Sequence, residues 1–330
     1  MSYAPEQEQY LYTYVLSLDG ENKTKFALQK LKMKIKKFKD SQQLKELGLY
    51  LSEKMKQGCI NKAKELNVNC HFIEMSAGNP FLQKNAIKAL QTQKVDGLAL
   101  SVIDSKFHID SLKYFKENNI PVVTVDADFA RGIHGLVDDL RAAYIGSDNF
   151  KLGYELGKHL LSIVKFKHEY CIVSGYKATD NLNERIKGFK KAISQSKLLE
   201  EHHRCPLYSL EDTDSSIRQG VSFIEDFDVH GMGKTLVYMG GWAQINIDKY
   251  TKVFEKYKQN IKNQTINILS IDASKEQMFL LKQGLSSGNL GQSPFEMGEK
   301  ALDTLFNLKQ GKKLSSNVIH TNSVLYPYKL

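Results

Sequence analysis

Residues 118–126 read Asn-Asn-Ile-Pro-Val-Val-Thr-Val-Asp and contain the end of one element and the whole of the next. Proline cannot continue a helix and disfavours helical backbone at the residue before it, so Pro121 ends the helix-period segment that precedes it. A mainly apolar run of strand length follows at 121–126. Such a run predicts a strand buried on both faces, as in a parallel sheet covered by helices.

The same alternation of apolar strands and helix-period segments extends along most of the chain. Further runs of strand length lie at 10–18, 70–75, 97–103, 170–174, 235–239 and 266–271. Segments with helical periodicity lie at 50–66, 80–93, 109–118, 152–164, 182–194, 215–226, 245–260, 275–283 and 296–308. This order predicts an α/β fold in which parallel sheets are flanked by helices.

The length of 330 residues predicts two lobes, because one domain holds roughly 100–200 residues. We assign 1–146 to an N-terminal lobe and 147–292 to a C-terminal lobe. The last long helix is left over from the second series, so about 293–320 is expected to return to the first lobe. Residues from about 321 to 330 would then complete the second lobe.

A lysine-rich segment at about 19–48 interrupts the alternation of strands and helices. Its apolar residues, among them Phe26, Leu31, Ile35 and Phe38, recur at helical spacing and predict an inserted amphipathic helix. In an alternative interpretation, 47–51 forms the first strand and everything before it is an extension.

The formal net charge of +9 comes mainly from lysine, with its densest run between Lys30 and Lys39. Such a run can attract nucleic acid or anionic lipid, but a solvated helix face is the simpler interpretation. The sequence contains no helix-turn-helix, zinc-finger or aromatic RNA-binding pattern, so no nucleic-acid partner is predicted. It also lacks a stretch of roughly 18 apolar residues, so no direct membrane insertion is expected.

The four cysteines, Cys59, Cys70, Cys171 and Cys205, form no CxxC pair, so neither a zinc site nor a redox pair is predicted. Cys171 lies in an apolar run and is expected to be a small buried hydrophobic residue. The disulfide state stays open at this point. The polar N-terminus lacks a signal-peptide pattern, so either the protein is cytosolic or an export segment was removed.

Two patterns suggest catalysis or metal binding but lack the residues that such chemistry needs. The run 231–235 resembles the end of a phosphate-binding loop, but Asp228 stands where that loop needs a glycine. His202 and His203 near Cys205 have no further ligand cluster and predict a surface loop. The nucleophile elbow G-x-S-x-G is absent. We therefore predict no catalytic residue, no metal site and no cofactor.

Several segments, in order and over roughly 51–312, resemble the type I periplasmic binding proteins of the ribose- and galactose-binding class. These proteins share their core with lac-repressor-type regulators. The matching segments are 51–58, 95–97, 119–126, 144–149, 183–185, 270–272 and 291–294. The resemblance implies two Rossmann-like lobes joined by three crossings, with a ligand held in the cleft between the lobes by hinge closure.

The resemblance also implies which residues touch the ligand: Asp126, Arg185, Asp272 and Gln292 match positions that contact sugar in this family. Their chemistry suits a neutral polyol, because carboxylates accept, arginine donates and glutamine does both. The structural alternatives are that the two aspartates form turns and that Arg185 is a surface charge of its helix. Asp148 and Asn149 would shape the lobe crossing rather than contact ligand.

Aromatic platforms are the other half of a sugar site, because the C–H-rich faces of sugars pack on rings. Trp242 is the only tryptophan and follows the strand at 235–239, and Tyr176 and Tyr50 are further candidates. The sequence departs from the family pattern just before Trp242. Gly240-Gly241 stands where sugar binders often carry a polar side chain, so one hydrogen bond to ligand is expected to be missing.

The resemblance implies a soluble, non-enzymatic receptor that captures a sugar-like solute and presents it to an ABC importer or a membrane sensor kinase. It would be periplasmic or extracytoplasmic, after removal of a leader. The alternative function is the effector-binding core of a lac-repressor-type regulator without its DNA-binding domain, since only nine residues precede Tyr10.

Overall fold

In the computed structural model the chain folds into two compact units. Unit 1 comprises Met1–Gly146 and Ser293–Thr321, and unit 2 comprises Ser147–Gln292 and Asn322–Leu330. The structure describes residues 13–19, 44–75, 80–93, 95–102, 105–130, 135, 139–177, 179–226 and 231–328. Most of the predicted helical insertion at 19–48 therefore lies outside the described residues.

The described part of unit 1 contains a six-stranded sheet with the order β12-β5-β4-β3-β1-β2. Its strands are β1 (Thr13–Asp19), β2 (Asn69–Met75), β3 (Gly97–Leu100), β4 (Val122–Val125), β5 (Ala143–Ser147) and β12 (Val318–Thr321). Its helices are α1 (Leu44–Leu66), α2 (Pro80–Gln91), α3 (Ser105–Glu117) and α10 (Pro294–Lys309). The alternative interpretation of 47–51 as a strand is wrong, because these residues belong to α1.

The described part of unit 2 contains a seven-stranded sheet with the order β13-β11-β10-β9-β6-β7, and β8 also pairs with β6. Its strands are β6 (His168–Ser174), β7 (Leu199–Glu201), β8 (Leu207–Tyr208), β9 (Gly233–Tyr238), β10 (Ile266–Ile271), β11 (Gly288–Gln292) and β13 (Ser323–Pro327). Its helices are α4 (Asn149–Ile163), α5 (Asp180–Ile193), α6 (Thr213–Ile224), α7 (Ile247–Phe254), α8 (Lys258–Lys262) and α9 (Lys275–Lys282). One helix was predicted over 245–260, but a 3₁₀ turn at Glu255–Tyr257 separates α7 from α8.

The predicted fold class is confirmed, and two strands depart from the parallel arrangement. Strands β3, β4 and β5 are parallel, as are β6, β9, β10 and β11. However, β1 runs antiparallel to β2 and β3, and β13 runs antiparallel to β11. Sequence periodicity reports side-chain alternation, which is the same in either direction along a strand, so it does not give strand polarity.

Each unit contains one helix pair that packs through glycine. In unit 1, a Cβ at Gly58 of α1 would overlap the carbonyl oxygen of Phe295 in α10. In unit 2, a Cβ at Gly153 of α4 would overlap the carbonyl oxygen of Arg185 in α5. Gly188 of α5 meets the backbone of Phe150 in the same way. Because these glycines have no side chain, the backbones of the paired helices come into contact. In unit 2 this contact sets the position of Arg185 on α5.

All four cysteines form disulfides, one within each unit. Cys59 of α1 is bonded to Cys70 of β2, and Cys171 of β6 is bonded to Cys205. The expectation that Cys171 is buried is confirmed, since it is fully inaccessible. Its partner is 34 residues away along the chain, so local sequence pattern did not indicate the bond.

Candidate ligand-binding site

Four predicted site residues lie along one edge of the sheet of unit 2. Strands β6, β9, β10 and β11 are parallel, and neighbours in this set are hydrogen-bonded in the order β11-β10-β9-β6. Tyr176 follows β6, Trp242 follows β9, Asp272 follows β10, and Gln292 ends β11. Because the strands are parallel, these ends share one side, which we call the carboxyl edge of unit 2.

Asp272 and Gln292 are in direct contact at this edge. The side-chain amide of Gln292 donates to Asp272 Oδ1 at 2.7 Å, and the backbone N–H of Gly241 donates to Oδ2 at 3.1 Å. Ser147 Oγ in turn donates to Gln292 Oε1 at 2.8 Å. Asp272 is only 4% exposed. The carboxylate is therefore held in a fixed orientation by one donor at the end of β11 and one in the segment after β9.

The carboxylate of Asp272 keeps capacity for further hydrogen bonds. An ionised carboxylate offers about four acceptor positions, and the two bonds above occupy two of them. Asp272 also has a left-handed backbone with φ of 79°, and Asp126 at the end of β4 has φ of 64°. Left-handed backbone is unfavourable for residues other than glycine and concentrates at functional positions. Both aspartates thus share a feature that the sequence did not show.

Arg185 of α5 is buried, which excludes the interpretation of it as a surface charge, since only 4% is exposed. Its Nε donates to Asn149 Oδ1 at 2.8 Å, and Nη1 donates to the carbonyl of Met239 at 2.8 Å. Both acceptors are neutral, so neither offsets the charge of the guanidinium. A guanidinium has five N–H donors, and burying its charge is costly without an anionic or strongly hydrogen-bonding partner. A bound ligand with acceptor oxygens would supply such a partner.

Asn149 orients Arg185, a role that sequence reasoning missed. It accepts the Arg185 Nε–H bond and also donates through Nδ2 to the carbonyl of Ser147 at 3.2 Å. Asp148 beside it is the N-cap of α4 and accepts from the backbone of Lys151 at 2.9 Å. The Ser-Asp-Asn run after β5 was therefore the available signal. Within that run, Asp148 caps the helix and Asn149 holds the arginine.

The two glycines before Trp242 have a packing role. A Cβ at Gly240 would lie 2.7 Å from the indole ring, and one at Gly241 would lie 2.9 Å from the side-chain oxygen of Gln277. Trp242 itself is only 9% exposed. The backbone N–H of Gly241 donates to Asp272, so this segment takes part in the polar network through its main chain. Gly240 thus makes room for the ring of Trp242, and Gly241 makes room for the side chain of Gln277.

A buried polar network supports this edge from below. Gln277 of α9 is fully buried, and its Oε1 accepts from the backbone of Ser274 at 3.0 Å in a capping box. Its amide nitrogen lies 3.0 Å from both Ser270 Oγ and the carbonyl of Ile271. These bonds tie the start of α9 to the end of β10, just before and after Asp272. Satisfied networks of this kind make the local structure rigid.

Tyr176 is half-buried beside two carboxylates at the end of β6. Burial, followed by the negative charges of Glu211 and Asp212, raises the pKa of Tyr176 to about 12. The phenol is therefore neutral at ordinary pH and can donate a hydrogen bond. Asp212 also caps α6, accepting from the backbone of Ser215 at 2.7 Å.

The remaining two predicted residues, Asp126 and Tyr50, belong to unit 1. Asp126 follows β4, its backbone N–H donates to the carbonyl of Ile145, and Tyr144 Oη donates to its carbonyl at 3.1 Å. Tyr50 is a half-buried residue of α1. Arg185, Asp272, Gln292, Trp242 and Tyr176 thus belong to unit 2. The roles of all seven residues in ligand binding stay predictions.

The predicted surface loop around His202 is in fact partly buried. His202 is 4% exposed, and its Nε2 lies 2.9 Å from Asp226 Oδ2. The nearby Gly-Lys-Thr run enters β9, where Lys234 pairs with Glu169 at 2.7 Å.

Among the described residues, no group of three or more His, Cys, Asp or Glu side chains is arranged to hold a metal ion. Nor does any described helix combine the length and apolar character needed to cross a membrane.

The family follows from a match that covers most of the chain. Residues 50–313 match the family model described as periplasmic binding protein domain. The chain belongs to this family.

Solved structures of periplasmic binding proteins share the fold of this chain. GanP, a glucose-galactose binding protein from Geobacillus stearothermophilus, is 22% identical with a TM-score of 0.67, covering 84% of this chain and 92% of its own. A solute-binding protein from Burkholderia graminis in complex with D-arabinose is 21% identical with a TM-score of 0.68, covering 84% and 91%. The XylFII-LytSN complex is 19% identical with a TM-score of 0.63, and the match covers 84% of this chain and 93% of that chain.

A curated relative matches a shorter stretch. The arabinose metabolism transcriptional repressor of Halalkalibacterium halodurans is 30% identical over 115 residues, which is 33% of this chain. The chain spans only 27% of the length of that repressor.

Proposed function

We propose that this periplasmic binding protein is a receptor for a small polar ligand, a sugar or sugar-like molecule, which it binds without transforming. The observation that carries the proposal is the buried Arg185, whose guanidinium bonds only to neutral acceptors among the described residues and reaches Met239 at the end of β9, on the edge that carries the Asp272–Gln292 pair. These groups have donor and acceptor capacity left for a ligand that both donates and accepts.

The chemistry of this edge favours a polyol over an ion. A sugar hydroxyl can donate to the Asp272 carboxylate while its oxygen accepts from Arg185, and Gln292 can do either. Each hydrogen bond to a charged group contributes roughly 1.5–3 kcal/mol net. Three such bonds are enough to discriminate between epimers. Trp242 and Tyr176 would face the C–H surfaces of the sugar.

The similar structures support the sugar class. One is described as a glucose-galactose binding protein, and another contains D-arabinose. In the mechanism expected for this family, Asp126 and Tyr50 of unit 1 would contact the same ligand as unit 2. A ligand that contacts both units stabilises the closed state by population shift.

The protein would present its closed form to a membrane partner, an ABC importer or a sensor kinase. The similarity to XylFII in a complex with LytSN supports a protein partner for this fold. The two disulfides support an extracytoplasmic location, because disulfides persist in oxidising compartments.

A regulator core is the second candidate, because of the partial match to the arabinose repressor. It has less support, since the match covers a third of the chain while the solute-binding structures above cover 84%. In a regulator, the sugar would change affinity for DNA rather than for a membrane protein.

A thermal-shift screen against pentoses, hexoses, polyols and furanosyl signal molecules tests the proposal. We expect at least one sugar to raise the melting temperature by several degrees, and Arg185→Ala and Asp272→Ala each to abolish that shift. Arg218→Ala removes an exposed arginine elsewhere in unit 2 and should leave the shift unchanged. If no compound stabilises the protein, or if Arg185→Ala responds like the parent, the proposed site is wrong.

The absence of catalysis is tested on the ligand that the screen identifies. The sugar is incubated with the protein, released by denaturation and analysed by mass spectrometry and NMR. We expect it to be recovered unchanged at every time point, and any time-dependent product would contradict the receptor proposal.

A further inference from the structure

A groove of about 580 Å³ lies on the surface of unit 2, along the second half of α6. Its apolar surface consists of Ile217 and Val221, which lie one helical turn apart on α6, and Val253 of α7. Ile217 is buried, and the two valines are half-buried. The groove therefore offers an aliphatic strip that runs parallel to a helix.

The carboxylates at the groove are already neutralised by cations of the protein. Glu225 accepts from Lys256 and from Tyr257 Oη, and these hydrogen bonds lower its pKa. Asp226 lies within hydrogen-bond distance of His202 and accepts from Arg204. The bond to His202 and the charge of Arg204 lower the pKa of Asp226. These bonds weaken the repulsion between each carboxylate and an incoming anion.

Arg218 is the uncompensated charge of the groove. Its side chain is exposed, and its guanidinium makes no hydrogen bond or ion pair with another residue in the described part of the chain. A planar guanidinium is suited to bidentate recognition of a carboxylate. An aliphatic strip beside a free guanidinium matches a segment that carries both aliphatic and acidic side chains.

The groove lies away from the carboxyl edge of unit 2. The start of α6 follows β8, which pairs with the carboxyl end of β6 at Ser174, while its last turn leads towards the start of β9. The loop that carries Arg204 follows His202, whose backbone donates to the carbonyl of Tyr170 in the first half of β6. The groove residues thus approach the amino ends of the strands. A partner bound there would leave Asp272 and Gln292 uncovered.

We infer that this groove is a docking surface for an acidic amphipathic segment of a partner protein. Aliphatic side chains of that segment lie on Ile217, Val221 and Val253, and a carboxylate of the segment pairs with Arg218. This is the helix-in-groove mode of recognition. Charge complementarity selects the occupant, and the lysine-rich 19–48 segment of this chain has the wrong sign to fill it.

A designed peptide tests the inference on the full-length, disulfide-bonded protein. The probe is a twelve-residue amphipathic peptide built only of leucine and glutamate, and its counterpart has lysine in place of every glutamate. Binding is followed by NMR of labelled isoleucine and valine methyl groups. We expect the acidic peptide to shift the methyl signals of Ile217, Val221 and Val253, and the basic peptide to bind at least tenfold more weakly.

Two substitutions with the same charge change separate docking from general electrostatics. Arg218→Glu should weaken binding of the acidic peptide at least tenfold. Lys191→Glu, at an exposed position of α5, should change it less than threefold. Equal weakening by both variants, equal binding of the two peptides, or methyl shifts confined to other residues would overturn the inference. So would an absence of binding, or the same methyl shifts with hexanoate alone.

The sugar screen is run on the same variants. Arg218→Glu is expected to bind the acidic peptide more weakly and to keep the thermal shift with sugar. The docking surface therefore does not depend on the sugar site. If no sugar stabilises the parent protein while the acidic peptide still binds, the proposed function is wrong and the docking surface stands.

Discussion

Arg185 shows how one side chain depends on the geometry around it. Its guanidinium is buried in unit 2, and the two bonds that hold it come from Asn149 and the carbonyl of Met239. Both bonds use the Nε and Nη1 positions, so the Nη2 group keeps its hydrogens for another acceptor. Its orientation therefore depends on neighbours that need not touch the ligand themselves.

Asn149→Ala is expected to weaken ligand binding through this arginine. Loss of a hydrogen bond to a charged group costs roughly 1.5–3 kcal/mol, which corresponds to a tenfold or greater loss of affinity. Isothermal titration with the sugar found in the screen measures the effect. Asn118→Ala, at an exposed asparagine of unit 1, is the matched control and should bind normally. Unchanged affinity in Asn149→Ala would contradict the positioning role.

At the scale of elements, the glycine contacts between helices decide how close the helices come. The pair α4–α5 in unit 2 and the pair α1–α10 in unit 1 both bring backbone against backbone at glycine. The α4–α5 contact involves the backbone of Arg185 itself, whereas the α1–α10 contact involves Phe295. The same steric change in the two pairs should therefore have different functional results.

Gly153→Ala and Gly58→Ala test this difference. Each added methyl group meets a carbonyl oxygen, so we expect both variants to lose at least 1–3 kcal/mol of unfolding free energy, typical of overpacking. Urea denaturation measures the loss. Only Gly153→Ala moves the backbone at Arg185, so only this variant should bind sugar more weakly. Equal affinities in the two variants would argue against a link between the helix contact and the site.

Two histidines packed inside unit 2 predict a dependence of stability on pH. Burial lowers the pKa of His159 in α4 and of His168 in β6. Above the unfolded-state pKa of about 6.5, each histidine is neutral in both the folded and the unfolded protein, so its full contribution to the free energy of unfolding is present. As pH falls below that value, the unfolded chain takes up protons that the folded chain does not, so the free energy of unfolding falls. The loss ends at the lowered folded-state pKa values.

Each histidine should contribute a slope of up to about 1.4 kcal/mol per pH unit in this window. Urea denaturation at a series of pH values from 7.5 to about 4.5 measures it. His168→Gln should flatten the curve, whereas His320→Gln, at an exposed position of unit 1, should not. A curve that is equally steep in His168→Gln and the parent would show that other groups are responsible.

At the scale of the whole molecule, each unit contains one disulfide. The bond Cys59–Cys70 spans 11 residues of sequence, and Cys171–Cys205 spans 34. Cross-links of this kind stabilise proteins by about 2–4 kcal/mol, and by more for longer loops in the chain-entropy account. The two bonds should therefore contribute unequally.

Replacing both cysteines of a pair by alanine should lower the melting temperature, and the Cys171/Cys205 pair should show the larger fall. Differential scanning calorimetry without reductant measures the change. Addition of dithiothreitol should lower the melting temperature of the parent and have no further effect on a variant that lacks all four cysteines. A parent protein that melts at the same temperature with and without reductant would contradict this expectation.

The alternation of strands and helices, and with it the fold class, follows from the amino-acid sequence. The sequence also supplied the residue types of the site, whose contact with ligand stays a prediction. These features depend on local periodicity and on short motifs such as the segment ending at Asp126. Helix boundaries followed within a few residues in most cases, because propensity and capping act over one or two turns.

The tertiary structure alone decided the polarity of β1, the pairing of the cysteines and the support of the site. The bond between Ser147 and Gln292 joins residues 145 positions apart, and that between Arg185 and Met239 joins residues 54 apart. Such contacts arise only after the strands have taken their order in the sheet. No local pattern encodes them, because distance along the chain does not report distance in the folded protein.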